Sequence, residues 1–572
     1  MQKIDRADLS IWILSIAFFS VTIILFGQYI SYLNAIVYFP YDWEPTDGDH
    51  LNFIHRLASH LPIYLSISKG EVLSIYNPLY HAIVALFGGE NSSLGLARSF
   101  TLIFWILIPL VVFAYFRKKW GFLYSIIAAF FIWMPPEPGL LVDMVQIGPS
   151  STMAFFFLVT ILYANNIINK EYPGQWEWIL LGGLASLTYF AKQQGLIVIA
   201  VVIIFLLIQK ISKKNIILTL IGFSFVFIPA VISLELANSG EFLNATIFDL
   251  KRIMPSSFYL SMFRLWQFLF DSSLYFFIGV LISLFPFIFM KYGIKNLSIW
   301  QVSFILHIPF LLVILGNGGG GPNYFFSFWI SIVFICIELI KSEKVLQILR
   351  FNKEKFFLII AILIVPTLIG NMGNIYAHLF INFSLVLIVF LIILNKNNKF
   401  LNKSDAIFFK KTTLFSLVIL FSLFANIYSG MKNTSYVISG MKLPTPELEI
   451  MMQDYYDSVA LLTVDKKNLH MLSHRNIGAF STNGFRVNNE GATMFSYAWH
   501  SKNIFERKII LDNIRNQKYD VISTGLQAYP KEVMNEIIIY YSPVINKPIN
   551  FRFGEIGRAI VYLPKIPTLH KN

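Results

Sequence analysis

Apolar runs recur along the first three quarters of the chain, at 9–33, 97–116, 121–134, 151–168, 178–191, 195–209, 216–235, 274–291, 299–315, 325–340, 356–371, 375–394 and 412–430, each bounded by a polar segment. A bilayer's hydrocarbon core is about 30 Å thick, so an α-helix rising 1.5 Å per residue crosses it in about 20 apolar residues. The pattern predicts about thirteen transmembrane helices, the shorter ones tilted or enclosed in the bundle. Beyond residue 430 the rhythm changes. "VALLTV" at 459–464 reads as a strand, 502–517 as a helix, "YDVIST" at 519–524 as a strand, 531–540 as a helix and "RAIVYL" at 558–563 as a strand. The predicted fold is therefore a mainly α, polytopic membrane domain over 1–430 followed by a small extracytoplasmic α/β domain over 431–572.

Basic residues fix the expected orientation. Lys3 and Arg6, Arg117 to Lys119, Lys210 with Lys213 and Lys214, Lys291 with Lys295, Lys341 to Lys355 and Lys396 to Lys411 all fall in short loops on one side. That side is expected to be cytoplasmic. The N-terminus is then cytoplasmic, the tail lies outside, and the protein is a multi-pass component of the plasma (inner) membrane. Residues 9–33 run too long for a cleaved signal peptide and lack a small-residue cleavage site, so they read as a retained first span.

Composition sharpens this picture. Hydrophobic residues make up 56% and charged residues 13%, against about 25% charged in soluble domains, and mean hydropathy is +0.63. A soluble enzyme is excluded. The net charge of +13 follows from the basic loops, so no nucleic-acid partner is inferred. A single cysteine, Cys336, sits within an apolar run and leaves no disulfide or thiolate cluster. No internal repeat is evident, which weakens an inverted-repeat transporter.

The long loops, 34–96, 135–150 and 236–273, lie on the side opposite the basic residues. Ionisable groups near a membrane are functional candidates by default, and the first loop concentrates Asp42, Glu44, Asp47, Asp49 and His50 ahead of an amphipathic stretch in which Leu51, Ile54, Leu57, Ala58 and Leu61 recur at helical spacing. Asp47 stands where that helix begins. It is positioned either to cap the helix or to take a proton from an acceptor hydroxyl. His50, His55 and His60 invite a metal, but a spacing of five residues spreads them around a helix of 3.6 residues per turn. A loosely held divalent ion at the acidic loop is the better metal reading, and no cofactor is required.

The order of acidic loop, "RLASHLPIY" and "YNPLYHAI" at 76–83 resembles the first periplasmic loop of the GT-C membrane glycosyltransferases, the group that includes protein O-mannosyltransferases and lipid A aminoarabinose transferases. "GLAR" at 95–98, "VDM" at 142–144, "GGLASLTYFAKQQGL" at 182–196 and "PNYFFSFW" at 322–329 extend the resemblance. Asn77 stands where the aminoarabinose branch has a lysine. The resemblance implies a glycosyltransferase that moves a sugar from a polyprenyl-phosphate donor to a glycan, lipid or protein acceptor with inversion. Asp47 is implied as the base, with Glu44 or Asp49 as other registers. Asp143, after the proline-rich turn, is a second acidic candidate that orients the acceptor or contacts the cation, with a solvated loop charge as the alternative. Arg98 and Lys192 are the cations placed to grip the lipid phosphate. For Arg98 an ion pair with Asp47 or Asp143, and for Lys192 plain snorkelling to the interface, stand as the alternatives. His50, Gln193, Asn323 and Tyr324 complete the expected substrate-binding set. A lipid-linked sugar transporter or flippase and an O-antigen-type polymerase are the competing functions.

Overall fold

A computed structural model describes residues 30–31, 33–43, 46–65, 76–133, 146–248, 258–271, 297–316, 322–341, 444–462, 468–473, 478–490, 507–524, 529–552 and 555–565. The expected spans at 274–291, 356–371, 375–394 and 412–430 lie outside the described residues, as does nearly all of the first. Residues 33–38 are helical, so the first long loop begins several positions later than the hydropathy suggested.

The loop then forms α1 (Asp47–Ala58) and α2 (Leu79–Gly88). The bundle follows as α3 (Leu94–Trp120), α4 (Phe122–Trp133), α5 (Ser150–Ile168), α6 (Gln175–Ala191), α7 (Leu196–Ile208), α8 (Lys213–Ala237), α9 (Phe258–Asp271), α10 (Ile299–Ile314) and α11 (Phe326–Lys341). Three of these, α3, α5 and α8, are long and apolar enough to cross a membrane. Serine caps start α3, α8 and α10: Ser93, Ser212 and Ser298 accept from the backbone N–H three residues on. α6 and α8 touch backbone to backbone, because a Cβ on Gly182 would collide with Thr219 and Phe223, and one on Gly222 with Ile179. Small residues permit such approach where both helices face lipid. The outer face of α8 exposes Ile221, Phe225, Ile228, Ile232 and Leu236, a surface suited to acyl chains.

Between α10 and α11, His307 bonds Ser327 through Nε2 at 2.7 Å and the Ser303 carbonyl through Nδ1 at 2.7 Å, while the Ser303 and Ser331 hydroxyls meet at 2.8 Å. This buried polar chain ties two helices together.

In the tail, α12 (Pro446–Ala460) is capped by Thr445 and started by proline at its first position. Of the expected strand at 459–464, residues 463–464 lie outside the described residues, and Val459 and Ala460 close this helix instead, Val459 facing the core from its last turn. The first strand, β1, is Asn468–Ser473, followed by α13 (Gly478–Thr482), β2 (Arg486–Glu490), α14 (Arg507–Arg515), β3 (Val521–Thr524), α15 (Lys531–Tyr540), β4 (Tyr541–Arg552) and β5 (Glu555–Pro564). The five strands order as β2-β1-β3-β5-β4. β1 pairs in parallel with β2 and β3, and β5 pairs antiparallel with β3 and β4. β4 carries Pro543 and Pro548, which breaks the usual strand signature and is tolerated because β4 is an edge.

Candidate active site

The polar end of the bundle is built on α1. Thr46 precedes it without a side-chain cap, and Asp47 does not cap the helix either. Its carboxylate turns inward. Oδ2 accepts from Arg98 Nη2 at 2.6 Å and from the Trp43 N–H at 3.2 Å, and Oδ1 accepts from the Ile147 N–H at 3.2 Å. Both members of this ion pair are fully buried. Arg98 also donates to the carbonyls of Ile36, Phe39 and Tyr41, so it pins the end of the first helix and the start of the loop to α3. The guanidinium expected to grip a lipid phosphate thus commits both Nη groups to a carboxylate and three carbonyls that order the loop, while its buried Nε lacks a hydrogen-bond partner.

Lys192 stands at the end of α6, in an extended conformation that breaks the helix before the turn Gln193–Gly195. Its ammonium is buried, donates to Ser150 Oγ at 3.0 Å and lies 5.1 Å from the centroid of the Tyr324 ring, a cation–π distance. Two residues separate Ser150 from Ile147, whose N–H holds Asp47. Gln146 reaches Thr46 at 2.9 Å, and a Cβ on Gly148 would touch His50 Nε2. Segment 146–150 therefore bridges the carboxylate and the ammonium.

His50 pairs its Nδ1 with His81 Nε2 at 2.8 Å, the rings stacked at 5.0 Å, with Tyr76 against the other side of His50 at 5.1 Å. Burial, with the charge of Lys192 adding to it, pushes His50 down to about 3. Burial and the neighbouring His50 hold His81 well below the usual histidine range. At neutral pH both rings are uncharged, one donating and the other accepting.

Asp49 is buried beside this cluster. Asn323 sits in the turn Pro322–Phe325 with its Oδ1 buried and lacking a hydrogen-bond partner, next to the Tyr324 that underlies Lys192. Gln193 follows Lys192, half-buried. Glu44 and Asp143 lie outside the described residues. Asn77, in the place of the family's lysine, donates to the carbonyl of Tyr189 and ties the loop to the last turn of α6 just ahead of Lys192. His55 and His60 part from His50: His55 Nε2 bonds the Ser92 carbonyl at 2.7 Å, and His60 sits past the helix end at φ 55°. Among the described residues no three histidines, cysteines or acidic groups converge on a metal position.

Three participants escaped sequence reading. His81 lay in plain view within "YNPLYHAI" but has no spacing relation to His50, and Ser150 reads as an ordinary helix start. Asp42, noted only as one of the acidic run, is packed under the C-terminal domain: a Cβ on Gly478 would collide with its carboxylate, its N–H donates to the Tyr456 hydroxyl at 3.2 Å, and Asn550 Nδ2 donates to its carbonyl at 2.8 Å. Burial, reinforced by the nearby Asp47, raises the Asp42 carboxyl well above the usual carboxylate range.

No protein-family model and no curated protein matches the sequence. Some solved structures are similar in three dimensions. ArnT from Cupriavidus metallidurans bound to undecaprenyl phosphate is similar over 96% of this chain and 97% of its own, at 10% identity and a TM-score of 0.47. The archaeal oligosaccharyltransferase AglB from Archaeoglobus fulgidus, in complex with an inhibitory peptide and a dolichol-phosphate, is similar over 95% of this chain and 75% of its own, at 11% identity and a TM-score of 0.43. Both are GT-C type membrane glycosyltransferases, the group whose loop motifs the sequence resembles.

Proposed function

We propose that the chain is a membrane glycosyltransferase whose donor sugar is carried on a polyprenyl phosphate. The observation that supports this most directly is the bridging of Asp47 and Lys192 by segment 146–150 at one end of the bundle, with Arg117 to Lys119 at the opposite end of α3. A carboxylate and an ammonium set a short segment apart suit a displacement at an anomeric carbon. The acceptor oxygen forms the new bond to that carbon as its proton passes to Asp47. The bond from the carbon to the phosphate oxygen breaks, and its electron pair leaves with the polyprenyl phosphate, which Lys192 steadies. Attack opposite the leaving group inverts the configuration.

Asp47 accepts from Arg98 and from the Trp43 and Ile147 N–H groups, and because it is fully buried, docking of the acceptor hydroxyl must displace a neighbour. Asp143 is proposed to orient the acceptor, with His50, Asp49, Glu44, Gln193, Asn323 and Tyr324 around the sugar and phosphate. Membranes bearing Asp47→Asn, supplied with labelled sugar on polyprenyl phosphate, test the role: transfer is expected to fall by about 10²–10⁴. Unchanged transfer at normal expression would remove Asp47 as the base.

A further inference from the structure

A cleft of about 1000 Å³ opens between the outer loop and the C-terminal domain. It lies at the upper end of the range for small-molecule sites, about 300–1000 Å³, so it has room for several linked sugar rings. One wall is a single stripe of α1: Leu51 and His55 line it on successive turns, with Ser59 at the helix's C-cap, and Asp47 stands one turn earlier on the same stripe. Leu94 and Gly95 line it as well, one turn ahead of Arg98 on α3. The inner end of the cleft thus lies about 6 Å along each helix axis, at 1.5 Å per residue, from both members of the Asp47–Arg98 pair.

The chemistry of the walls is specific. Glu90 and Arg486, the only carboxylate and guanidinium among its described lining residues, face each other at 3.5 Å, and the other polar lining groups described are hydroxyls, amides and His55, which burial holds below the usual histidine range. Among the described residues the lining therefore carries no net charge at neutral pH. Two buried polar atoms from opposite walls lack a hydrogen-bond partner, His55 Nδ1 on the loop and Ser481 Oγ on the tail domain. Buried polar atoms are rarely left so unless something else satisfies them. Tyr38, 76% exposed, adds an aromatic face with a polar tip at the mouth. Hydroxyl and amide partners beside an aromatic plane, with no net charge, match a ligand that has many hydroxyls and apolar C–H faces.

We infer that this cleft binds a neutral oligosaccharide, the acceptor chain, with its growing end directed along α1 toward Asp47. The acceptor role rests on the transferase reading above; the binding of the saccharide does not. The full chain in nanodiscs is titrated with chitotetraose, cellotetraose and mannotetraose, and separately with undecaprenyl phosphate. At least one tetrasaccharide is expected to bind at millimolar concentration, and Tyr38→Ala and Ser481→Val each to weaken it about tenfold. Tyr38→Phe should retain binding, and Lys192→Ala should weaken only undecaprenyl phosphate. Because Tyr38 is exposed, its substitution tests the cleft without threatening the fold. Absence of binding by all three tetrasaccharides, binding indifferent to both cleft variants, or displacement of the saccharide by an acidic peptide would overturn the inference. Saccharide binding without any undecaprenyl phosphate binding would uphold the cleft and remove the acceptor role.

Discussion

Asp42 and Asp47 lie five residues apart in one loop, both buried, and the protein treats them in opposite ways. Asp47 receives a guanidinium and two backbone N–H groups, the donor set that suits an ionised carboxylate. Asp42 has a buried Oδ1 with no hydrogen-bond partner and is pressed against Gly478 of the tail domain. Its surroundings favour the protonated acid. The difference shows how one acidic run serves two purposes: the carboxylate facing the bundle is held for chemistry and loop order, while the one facing the tail is a packing element of the domain interface.

The strongest way to break this contrast is to remove the counter-charge. Arg98→Met leaves Asp47 buried without its guanidinium and frees three loop carbonyls, and breaking one side of a buried pair costs about 3–5 kcal/mol. The variant should show a large drop in thermal stability in detergent, and pairing it with Asp47→Leu should recover part of that loss. If Arg98→Met melts with the wild type, the pair does not order the loop. A smaller effect is expected on the other side. Gly478→Ala drives a Cβ into the Asp42 carboxylate, and such overpacking costs about 1–3 kcal/mol. Limited proteolysis should then release the tail domain sooner, and an unchanged rate would show that Asp42 is not part of the contact.

A gentler probe sharpens the same interface. Asn52 donates to the Val487 carbonyl at 2.8 Å and accepts from its N–H at 3.1 Å, so a side chain of α1 completes the open edge of β2 as a neighbouring strand would. Asn52→Ala removes both bonds, at about 1 kcal/mol each. Hydrogen exchange at the Val487 amide should accelerate while the β3 and β5 amides keep their protection. Equal acceleration across the sheet would mean that Asn52 supports the whole domain rather than its edge.

Much of this architecture was legible because it depends on local pattern. The helices α3 to α8, α10 and α11 follow from apolar run length, and α1 follows from the spacing of Leu51, Ile54, Leu57 and Ala58. The tail strands at Val521–Thr524 and Glu555–Pro564 carry β-branched runs that announce themselves. What could not be read depends on contacts between distant residues. Val459 and Ala460 look like strand but continue a helix that Thr445 and Pro446 begin, and β4 hides behind two prolines that only an edge position permits. In the site, Arg98 could be read as a phosphate ligand or as the partner of Asp47; its fully buried geometry realises the second. Asp42 was indistinguishable from its acidic neighbours, since Tyr456, Gly478 and Asn550 meet it from more than 400 residues away. No spacing rule connects such partners.

The smallest effect has an unusual sign. Because the folded-state pKa of Asp42 is raised above its ordinary value, the folded protein holds a proton that the unfolded chain releases, and stability falls as pH rises from about 4 through the folded value. Asp42→Asn keeps the shape of the protonated acid and cannot ionise, so it should melt at or above the wild-type temperature at pH 7, with the gap narrowing as the pH is lowered toward 4. His50 runs the other way. Its folded value of about 3 lies below its ordinary value, so its contribution is complete above pH 6.5 and drains away toward 3. His50→Gln should therefore flatten the acid limb of the melting profile, while Asp42→Asn flattens the neutral one. A melting temperature of Asp42→Asn that falls below wild type at pH 7 would show that the carboxylate is ionised at the interface, and the contrast with Asp47 would disappear.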